Sequence, residues 1–550
     1  MQSRDSQPTP GRMIVKGAVV LGAAAILSKL LGTMQKIPLQ NVAGDHVFGM
    51  YNAVYPLYTL ILFLATAGFP VAVSRFVAEE QARGSRNGAR RILKMSLVLS
   101  SWTGVSCFVL LYFGAGVLAS WIGNAETAVA LRSVSYALLV VPALAALRGY
   151  FQGLGDMVPT AVSQVAEQFA RVVVMIALLI VFVRSSASDA TIAAGATFGS
   201  VAGAVAGLTV MLGFWQAHRK KTPERAASFA QERGGERNGV SYRAFIAYAL
   251  PICLGSVVLP ILTLTDTFTV PRLLMQSGMD EIGAMTQFGL YNHGLPLVQL
   301  VSMIVSSMSV ALIPAIAAAK AEGRLASAGG ASAASIRLVW LIGLAASAGM
   351  AITAIPLNVM FYKSAEGYEA MMILAGTTVF SVVQIITGAI LQGLGAERAT
   401  AYHLLAAAAV KVALNVWLVP LWGIEGAAVA AVAAYATAAG LNMMRLRQFQ
   451  FFRLSWRELT LKPLLCTAVM AAVTAAVAFG AERLLAWGLP GLPYRSAQTI
   501  IAGAAVAGGA MTFAFMLLRT RAITEQELAA VPKLGPKLLP LLRKTRFLPK

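Results

Sequence analysis

Apolar residues fill most of the chain in stretches that are long enough to cross a lipid bilayer as helices. A bilayer core about 30 Å thick needs about 20 residues of apolar helix, and the sequence contains about fourteen such stretches. They lack the alternation of apolar and polar residues that is typical of barrel strands, which favours helices. The predicted spans are residues 13–39, 50–78, 92–121, 129–151, 158–183, 190–215, 244–271, 286–318, 334–361, 370–393, 398–420, 423–444, 462–480 and 497–518.

Two sequence motifs return after 240 residues, which indicates an internal repeat. Phe48-Gly-Met-Tyr-Asn52 returns as Phe288-Gly-Leu-Tyr-Asn292, and Gln152-Gly-Leu-Gly155 returns as Gln392-Gly-Leu-Gly395. Each half holds an even number of predicted spans, so both halves enter the membrane in the same direction. We therefore predict an all-α polytopic membrane protein with two six-helix bundles related by a parallel pseudo-two-fold repeat, plus two C-terminal helices.

The repeat and the changes in composition divide the chain into five predicted segments. A polar, charged segment separates the two bundles, and the last two spans have no counterpart in the repeat. Two bundles with a cavity between them are typical of transporters that work by alternating access. The segments are an N-terminal bundle at residues 1–215, a cytoplasmic linker at 216–243, a C-terminal bundle at 244–444, two additional helices at 445–518 and a basic cytoplasmic tail at 519–550.

Charged residues are sparse, and most of them are basic. Lys and Arg number 44 against 23 Asp and Glu, which gives a net charge of +21, yet only 12% of the residues are charged and 58% are hydrophobic. A soluble protein carries about 25% charged residues, so the composition excludes one ordinary soluble domain. A nucleic-acid binder is disfavoured as well, because it would need a charged surface in contact with water.

The distribution of the basic residues predicts the orientation of the chain. With a cytoplasmic N-terminus, 34 of the 44 basic residues fall in cytoplasmic segments and 7 in outer segments. Because cytoplasmic loops are enriched in Lys and Arg, we expect both termini on the cytoplasmic side of the cell membrane. The basic segments would also contact anionic lipids. The first apolar stretch continues past Lys29, so we expect an uncleaved helix rather than a signal peptide.

Motifs of catalysis and of metal binding are absent from the sequence. No Walker A, His-Glu-x-x-His or nucleophile-elbow motif occurs, and the three cysteines have no metal-ligand spacing. We therefore predict a protein that is not an enzyme and has no cofactor. Coupling of transport to Na⁺, H⁺ or the membrane potential is left open.

Two lysines of the first span are candidate substrate-binding residues, because a charge at membrane depth is costly unless it faces a cavity or a partner. Lys29 and Lys36 are seven residues apart, which on one helix places both on one face about 10 Å apart. They would form a basic stripe along a cavity. The alternative is that Lys36 extends to the outer interface and Lys29 alone is buried.

A charged pair is predicted near the middle of the fifth span. Glu167 lies one turn before Arg171, and the repeat aligns Arg171 with Lys411. The pair would either neutralise itself as an intrahelical ion pair or serve function, with Arg171 binding substrate and Glu167 coupling an ion. Lys411 has Ala407 in place of the glutamate and Asn415 as its polar helical neighbour. We therefore expect Lys411 to face a wet cavity or a partner on another helix.

Two further polar positions lie in the seventh and eighth spans. Asp266 lies among four threonines within Thr263–Thr269, and carboxylate with hydroxyl oxygens suits Na⁺ binding or proton transfer; a salt bridge to another helix is the alternative. His293 is either a substrate-binding residue or a hydrogen-bonded packing residue. The repeated Asn52 and Asn292 complete the candidate substrate-binding set.

Four motifs of the first half resemble those of a known family. They are Ser28-Lys-Leu-Leu-Gly32, Gly68-Phe-Pro-Val-Ala-Val-Ser-Arg75, Arg148-Gly-Tyr-Phe-Gln-Gly153 and Pro159-Thr-Ala-Val-Ser-Gln-Val-Ala-Glu-Gln168. With the span count and the repeat, nearly the whole chain resembles the multidrug/oligosaccharidyl-lipid/polysaccharide (MOP) exporter superfamily. Within it, the chain is similar to the polysaccharide biosynthesis group that contains stage V sporulation protein B and the lipid II flippases of spore-forming Gram-positive bacteria.

The resemblance implies a flippase that moves lipid II, an undecaprenyl-pyrophosphate-linked peptidoglycan precursor, from the cytoplasmic to the outer leaflet. It implies that Lys29 matches a cavity arginine and that Lys36 takes the basic position before Ile-Pro-Leu. His293 then stands near an expected arginine of the eighth span, and Asp266 resembles an acid associated with a cation. The expected basic residue of the second span is missing, since Tyr51–Ser74 contains no Lys or Arg. Cell-wall synthesis proteins are implied as partners.

Three alternatives stay open. A flippase for another lipid-linked polysaccharide repeat unit would need similar cations in the membrane. A cation-coupled multidrug exporter would favour acidic cavity residues to hold cationic drugs, whereas Lys29, Lys36 and Lys411 are basic. A non-transporting scaffold for cell-wall synthesis would have no use for charges inside the membrane.

Overall fold

The computed structural model describes residues 10–221, 240–257, 260–449, 456–520 and 522. The centre of the predicted linker, residues 222–239, and nearly all of the predicted basic tail lie outside these ranges. Within them the chain is built from helices and contains no strand, as predicted. The chain divides into two compact units, Met1–Phe268 (unit 1) and Thr269–Lys550 (unit 2).

Nine helices lie within unit 1, and a tenth crosses the boundary between the units in the described part of the chain. They are α1 (Pro10–Met34), α2 (Lys36–Thr66), α3 (Gly68–Ala82), α4 (Arg86–Ile122), α5 (Thr127–Ser135), α6 (Ala137–Gly153), α7 (Val158–Arg184), α8 (Asp189–Lys221), α9 (Tyr242–Val257) and α10 (Ile261–Gln276).

Nine further helices form the described part of unit 2. They are α11 (Glu281–Tyr291), α12 (Leu295–Ala321), α13 (Leu325–Ile352), α14 (Ala354–Tyr362), α15 (Tyr368–Ala375), α16 (Thr377–Gly393), α17 (Glu397–Gln448), α18 (Trp456–Gly488) and α19 (Tyr494–Arg519).

Many of these helices are long and apolar enough to cross a membrane. The described residues contain 11 such stretches, or 12 when the bent pair α9–α10 counts as one span. Two stretches, Val20–Ala82 and Glu397–Gln448, each cover two predicted spans. Each is interrupted by a glycine with positive φ, Gly44 at 81° and Gly423 at 59°. The chain is a multi-pass membrane protein, and the count of fourteen spans stays a prediction.

The structure differs from the predicted boundaries near the first two spans. The predicted loop at residues 40–49 is wrong, because these residues are helical and belong to α2 except for the break at Gly44. Glycine adopts the left-handed backbone at Gly44 without the steric cost of a side chain. The chain can therefore change direction there within one or two residues, and a polar loop is not needed.

Large apolar side chains are exposed on the surfaces of both units. Trp102, Leu110 and Phe113 of α4 are each about 70% exposed, and Trp487 of α18 is 87% exposed. In a soluble protein such surfaces would be an aggregation hazard. Contact with lipid acyl chains accounts for them in a membrane protein.

The bounds of several helices repeat after 240 residues. Helix α16 begins and ends 240 residues after α6, and α14 ends 240 residues after α4. The caps agree as well, since Gly123 after α4 and Lys363 after α14 both have a left-handed backbone, with φ of 94° and 62°. The helix bounds thus match the predicted repeat in sequence; the pseudo-two-fold axis itself stays a prediction.

In unit 1, glycines allow α6 to lie directly against α3. A Cβ on Gly149 would come 2.7 Å from the carbonyl oxygen of Pro70, and one on Gly153 would come 2.7 Å from that of Ser74. Around this contact a buried apolar core joins α3, α4, α6, α8 and α9. This packing fixes α6, and hence the neighbouring position 148, within unit 1.

In unit 2, the same kind of contact joins α16 to α12. A Cβ on Gly393 would come 2.9 Å from the carbonyl oxygen of Ile313. A buried apolar core surrounds this contact and includes residues of α12, α13, α16 and α17. The helix frame of unit 2 therefore uses close glycine packing at the position that corresponds to Gly153.

Candidate functional site

Helices α2, α6 and α7 bring a connected group of polar side chains together inside unit 1. We call this group the polar cluster. Its side chains are linked to one another by hydrogen bonds, ion pairs, ring contacts or their neighbouring positions in the chain. Its members are Gln35, Lys36, Tyr51, Asn52, Tyr55, Tyr58, Arg148, Ser163, Glu167 and Arg171.

The first part of the polar cluster joins the start of α2 to its middle. The Nζ of Lys36 donates to Oδ1 of Asn52 at 3.0 Å, and both side chains are buried. The adjacent Gln35 donates through Nε2 to the Tyr51 hydroxyl at 3.2 Å. Because Gly44 breaks the helix between these positions, side chains 16 residues apart can meet. The lysine predicted from its depth in the membrane is thus held by an asparagine from the repeated motif.

Three tyrosines connect this part to α7. Tyr51, Tyr55 and Tyr58 lie one turn apart on one face of α2, with ring centroids 5.6 and 6.1 Å apart. The hydroxyl of Tyr55 accepts a hydrogen bond from Nη1 of Arg171 at 3.2 Å. The row of tyrosine rings therefore connects the part of the cluster that contains Lys36 to Arg171.

Two arginines share one carboxylate at the other end of the polar cluster. Nη2 of Arg171 lies 3.0 Å from Oε1 of Glu167, and Nη2 of Arg148 lies 2.9 Å from Oε2 of the same glutamate. Arg148 also donates to the Ser163 hydroxyl at 2.8 Å. The predicted intrahelical pair of Glu167 and Arg171 is confirmed, but it is one part of a triad that includes Arg148 from α6.

Helix α8 packs closely against the backbone of α7 next to its charged residues. Ser163, Glu167 and Arg171 are each one turn apart and therefore share a face. A Cβ on Gly203 would come 2.6 Å from the carbonyl oxygen of Glu167, and one on Gly199 would come 2.7 Å from that of Arg171. The two glycines let α8 contact the backbone of α7 closely, which restricts where its charged side chains can lie.

The polar cluster has more positive than negative charge. Three of its ten members are cations, which are Lys36, Arg148 and Arg171, and one member, Glu167, is a carboxylate. Within the described part of the chain, Nε of Arg171 and the hydroxyl of Tyr58 are buried without a hydrogen-bond partner. The arrangement is chemically suited to an anion that accepts several hydrogen bonds.

Unit 2 has no polar side chain at half of the positions that correspond to the ten members of the polar cluster. Lys411 is buried, at 3% exposed, and Nδ2 of Asn415 one turn on donates to the hydroxyl of Thr269 at 2.8 Å. The positions that correspond to Tyr55, Tyr58, Arg148 and Glu167 are occupied by Leu295, Val298, Gly388 and Ala407. Asn292 keeps the geometry of Asn52, since each donates to the carbonyl oxygen four residues earlier, at 2.7 and 2.8 Å. Unit 2 thus keeps one cation and lacks the triad.

Asp266 is buried on α10, as expected for a functional or ion-paired acid in the membrane. The hydroxyls of Thr263, Thr265 and Thr267 donate to backbone carbonyl oxygens of the same helix, at 2.8 to 3.4 Å. Each of these hydroxyl oxygens still has lone pairs that can accept a hydrogen bond or bind a cation. The described residues contain no group of three or more His, Cys, Asp or Glu side chains that could hold a metal ion. The role of Asp266 in ion coupling stays a prediction.

His293 is fully buried in unit 2 and has the surroundings of a packing residue. Its Nδ1 lies 2.8 Å from Oδ1 of Asn358, and its ring stacks on that of Tyr362 with centroids 4.0 Å apart. Asn358 donates in turn to the carbonyl oxygen of Glu366. These contacts tie the start of α12 to the end of α14 and support the packing interpretation over substrate binding.

The two lysines of the predicted basic stripe have different environments. Lys36 is 9% exposed, whereas Lys29 is exposed on α1. The helix that was predicted to carry both ends at Met34, and α2 begins at Lys36. The structure therefore joins Lys36 to the polar cluster and leaves Lys29 outside it.

Sequence reasoning missed Tyr55, Tyr58 and Gln35, and it counted Arg148 among the cytoplasmic basic residues rather than among the site residues. Arg148 lies within α6, where its side chain is 17% exposed. A signal was present, because Arg148 opens the Arg-Gly-Tyr-Phe-Gln-Gly motif at the end of a predicted span. The tyrosines gave a weaker signal, since aromatic residues are common in membrane helices.

Comparison with known proteins places the chain among polysaccharide biosynthesis proteins. A family model with the description polysaccharide biosynthesis protein matches residues 14–320. The uncharacterized membrane protein YabM of Bacillus subtilis (strain 168) is 33% identical, and the match covers 98% of each chain. The lipid II flippase MurJ of the same organism is 27% identical over 77% of this chain and 80% of its own.

A solved structure shows the same fold. An inward-facing MATE family multidrug resistance transporter of the MOP superfamily matches with a TM-score of 0.62 and 16% identity, over 77% of this chain and 95% of its own. At this identity the likeness establishes the fold alone. Together the comparisons confirm the predicted class of all-α polytopic membrane protein and the resemblance to the MOP superfamily.

Proposed function

Because the chain belongs to the polysaccharide biosynthesis protein family, we propose that it moves lipid II from the cytoplasmic to the outer leaflet of the cell membrane. Independently of its substrate, the chain is a flippase-type transporter of the MOP superfamily. The functions named for its relatives and fold neighbours are those of flippases and transporters. The prediction that the chain is not an enzyme is therefore confirmed.

The charge of the polar cluster is the observation that carries the proposal. A lipid-linked pyrophosphate must bring its negative charge into the membrane, where it loses the water that stabilises it. Lys36, Arg148 and Arg171 outnumber the carboxylate of Glu167 at this depth. Charge-assisted hydrogen bonds from such cations replace water around phosphate oxygens.

The proposed transport cycle begins from a closed cluster. Lys36 is held by Asn52, and Arg171 is held by Tyr55 and Glu167. We propose that phosphate oxygens replace Tyr55 as a partner of Arg171 once α2 and α7 separate, and replace Asn52 as the partner of Lys36 once the two parts of α2 on either side of Gly44 move apart. The neutral partners are easier to exchange than the carboxylate, because hydrogen bonds between charged groups are about twice as strong.

The remaining predicted residues receive supporting roles in the proposal. Lys29, exposed on α1, would meet the pyrophosphate before the cluster does, and Lys411 would act in unit 2. Asp266 would couple Na⁺ or H⁺ to the conformational change, and its substitution by Asn should alter the dependence of transport on that cation. Transport unchanged across a Na⁺ series and a pH series in Asp266→Asn would remove Asp266 from this role. We propose in addition that both termini lie in the cytoplasm, because cytoplasmic loops are enriched in Lys and Arg.

A second candidate is a flippase for another lipid-linked polysaccharide repeat unit. The observation that favours it is the higher identity to YabM, an uncharacterized membrane protein, than to the lipid II flippase MurJ. A multidrug exporter for cationic drugs is disfavoured, although it shares the fold, because the excess positive charge of the polar cluster would repel such substrates.

Rescue of cells depleted of their lipid II flippase tests the proposal. We expect the wild-type chain to restore growth and Lys36→Gln to fail, because the glutamine keeps the polar contact with Asn52 but loses the charge. Lys94→Gln, at an exposed position on α4, makes the same change outside the cluster and should restore growth like the wild type. Membrane levels of all three proteins are compared by immunoblot.

The outcomes separate the candidates. Failure of the wild-type chain to restore growth, at wild-type membrane levels, contradicts lipid II transport. Restoration of a surface glycan in a strain that lacks its own glycan flippase, without rescue of growth, would favour the second candidate. Equal rescue by wild-type chain and Lys36→Gln would retain the flippase and remove the polar cluster from substrate binding.

A further inference from the structure

A cavity of about 440 Å³ lies in unit 1 at the ends of α3, α4, α6 and α8. Binding sites for small molecules typically measure about 300–1,000 Å³. These helix ends belong to the segments whose basic residues predict a cytoplasmic location. We call this cavity the terminal pocket. Its lining includes Gln81, Ser85, Arg90, Tyr150 and His218.

The terminal pocket has donors and a cation but no acidic side chain in its lining. Arg90 is half-buried, and its charge acts on the hydroxyl of the buried Tyr150. His218 of α8 lies edge-on to the ring of Tyr150, with centroids 6.3 Å apart. Gln81 adds an amide, and Ser85 adds a hydroxyl that already accepts from the backbone N–H of Gly88 at 3.1 Å. The lining is therefore chemically complementary to an anion.

Arg90 differs from two neighbouring arginines, which are both paired with carboxylates. Arg75 pairs with Glu79, and Arg83 pairs with Glu80, each at 2.9 Å. Among the residues that the structure describes, the guanidinium of Arg90 has no carboxylate within ion-pair distance. Its charge is thus available inside a concave, partly dry site, where it acts more strongly than on an open surface.

We propose that the terminal pocket binds a phosphate group, separately from the polar cluster. The guanidinium of Arg90 would bind two phosphate oxygens, and the imidazole of His218 and the hydroxyl of Tyr150 would donate to the others. The phosphate comes either from the headgroup of an anionic phospholipid at the membrane surface or from a soluble phosphate compound. Basic pockets between membrane helices suit lipid headgroups, and the experiment distinguishes the two sources.

The test uses the full-length protein in nanodiscs of neutral phosphatidylcholine. Two probes are titrated separately, short-chain phosphatidylglycerol and inorganic pyrophosphate, and the melting temperature of the protein reports binding. We expect at least one probe to raise the melting temperature of the wild type. Arg90→Gln should weaken that binding about tenfold, as expected for the loss of a charge-assisted contact. Arg219→Gln makes the same change at an exposed position and should bind like the wild type.

Further variants keep the outcome clear. His218→Gln should weaken binding less than Arg90→Gln, and the melting temperatures without probe show that each variant is folded. Pyrophosphate can also bind at the polar cluster, so Arg90→Gln is measured in the wild-type background and in the Lys36→Gln background. The loss of response caused by Arg90→Gln should be the same in both backgrounds, which separates a failure of the polar cluster from a failure here. Binding that depends on Arg90 decides the source: if phosphatidylglycerol alone shows it, the pocket is assigned to lipid, and if pyrophosphate shows it, the pocket is assigned to a soluble ligand. No response of the wild type to either probe, or equal binding by wild type and Arg90→Gln, overturns the proposal.

Discussion

Unit 1 and unit 2 have helices with matching bounds, yet the polar residues that these helices carry differ. Unit 1 joins two arginines to one glutamate and adds a lysine and three tyrosines. At the matching positions unit 2 keeps one tyrosine, the asparagine of the repeated motif and one lysine, which are Tyr291, Asn292 and the buried Lys411. The correspondences, 240 residues apart, are Arg148 with Gly388, Glu167 with Ala407, and Arg171 with Lys411.

The difference shows which features the helix frame requires and which it does not. Close glycine contacts occur in both units, at Gly153 and at Gly393, so they belong to the packing of the frame. The charged triad occurs in one unit alone, so the frame does not require it. A costly group that the fold can do without is the best candidate for function.

The largest loss of thermal stability is expected when the carboxylate that Arg148 and Arg171 share is removed. Glu167→Ala leaves Arg148 and Arg171 as two uncompensated cations in unit 1. Breaking a buried ion pair costs about 3–5 kcal/mol of unfolding free energy, so the melting temperature in detergent should fall strongly. The pair is 11% to 15% exposed, which keeps solvent screening small.

An exposed pair of the same spacing serves as the control. Arg75 and Glu79 form an i,i+4 pair with side chains 51% and 38% exposed. Glu79→Ala should leave the melting temperature unchanged, because exposed pairs add little to stability. Equal melting temperatures for Glu167→Ala and Glu79→Ala would show that the triad does not stabilise unit 1.

A smaller effect is expected from the tyrosine that contacts Arg171. Tyr55→Phe removes the acceptor of the 3.2 Å hydrogen bond from Arg171 but keeps the ring stack. Hydrogen bonds to charged groups contribute about 1.5–3 kcal/mol, so the melting temperature should fall. Tyr58→Phe removes a hydroxyl with no partner in the described residues and should leave it unchanged or raise it. The reverse order for the two variants would contradict the assigned contacts.

The smallest expected effect concerns the feature that both units share. Gly153→Ala and Gly393→Ala each push a Cβ to within 2.9 Å of a backbone oxygen of the facing helix. Overpacking of this kind costs about 1–3 kcal/mol, and the two losses should be similar. Gly440→Ala, where no atom lies within 4 Å of the added Cβ, should not destabilise the protein. A large difference in melting temperature between Gly153→Ala and Gly393→Ala would show that the close helix contact does not stabilise the two units equally.

Much of the fold could be predicted from the chain, because length and hydropathy decide where a membrane helix forms. The pair of Glu167 and Arg171 was also predictable, since spacing along one helix fixes it. The meeting of Lys36 with Asn52 was not, because it depends on the break at Gly44 within α2.

The third member of the triad was missed for a related reason. Arg148 reaches Glu167 from a different helix, and contacts between helices leave no periodic signal in the sequence. Lys29 shows the opposite error of emphasis, since its depth in the predicted span ranked it above Lys36 as a cation of the cavity. The structure exposes Lys29 and buries Lys36.

We infer that the cations of the polar cluster carry a lipid-linked pyrophosphate across the membrane. The most direct test is lipid II translocation in proteoliposomes that contain wild type, Lys36→Gln or Lys94→Gln at equal density. We predict that Lys36→Gln lowers the rate about tenfold or more, the loss equivalent to about 1.4 kcal/mol, and that Lys94→Gln keeps the wild-type rate. A wild-type rate for Lys36→Gln in folded protein would contradict the claim.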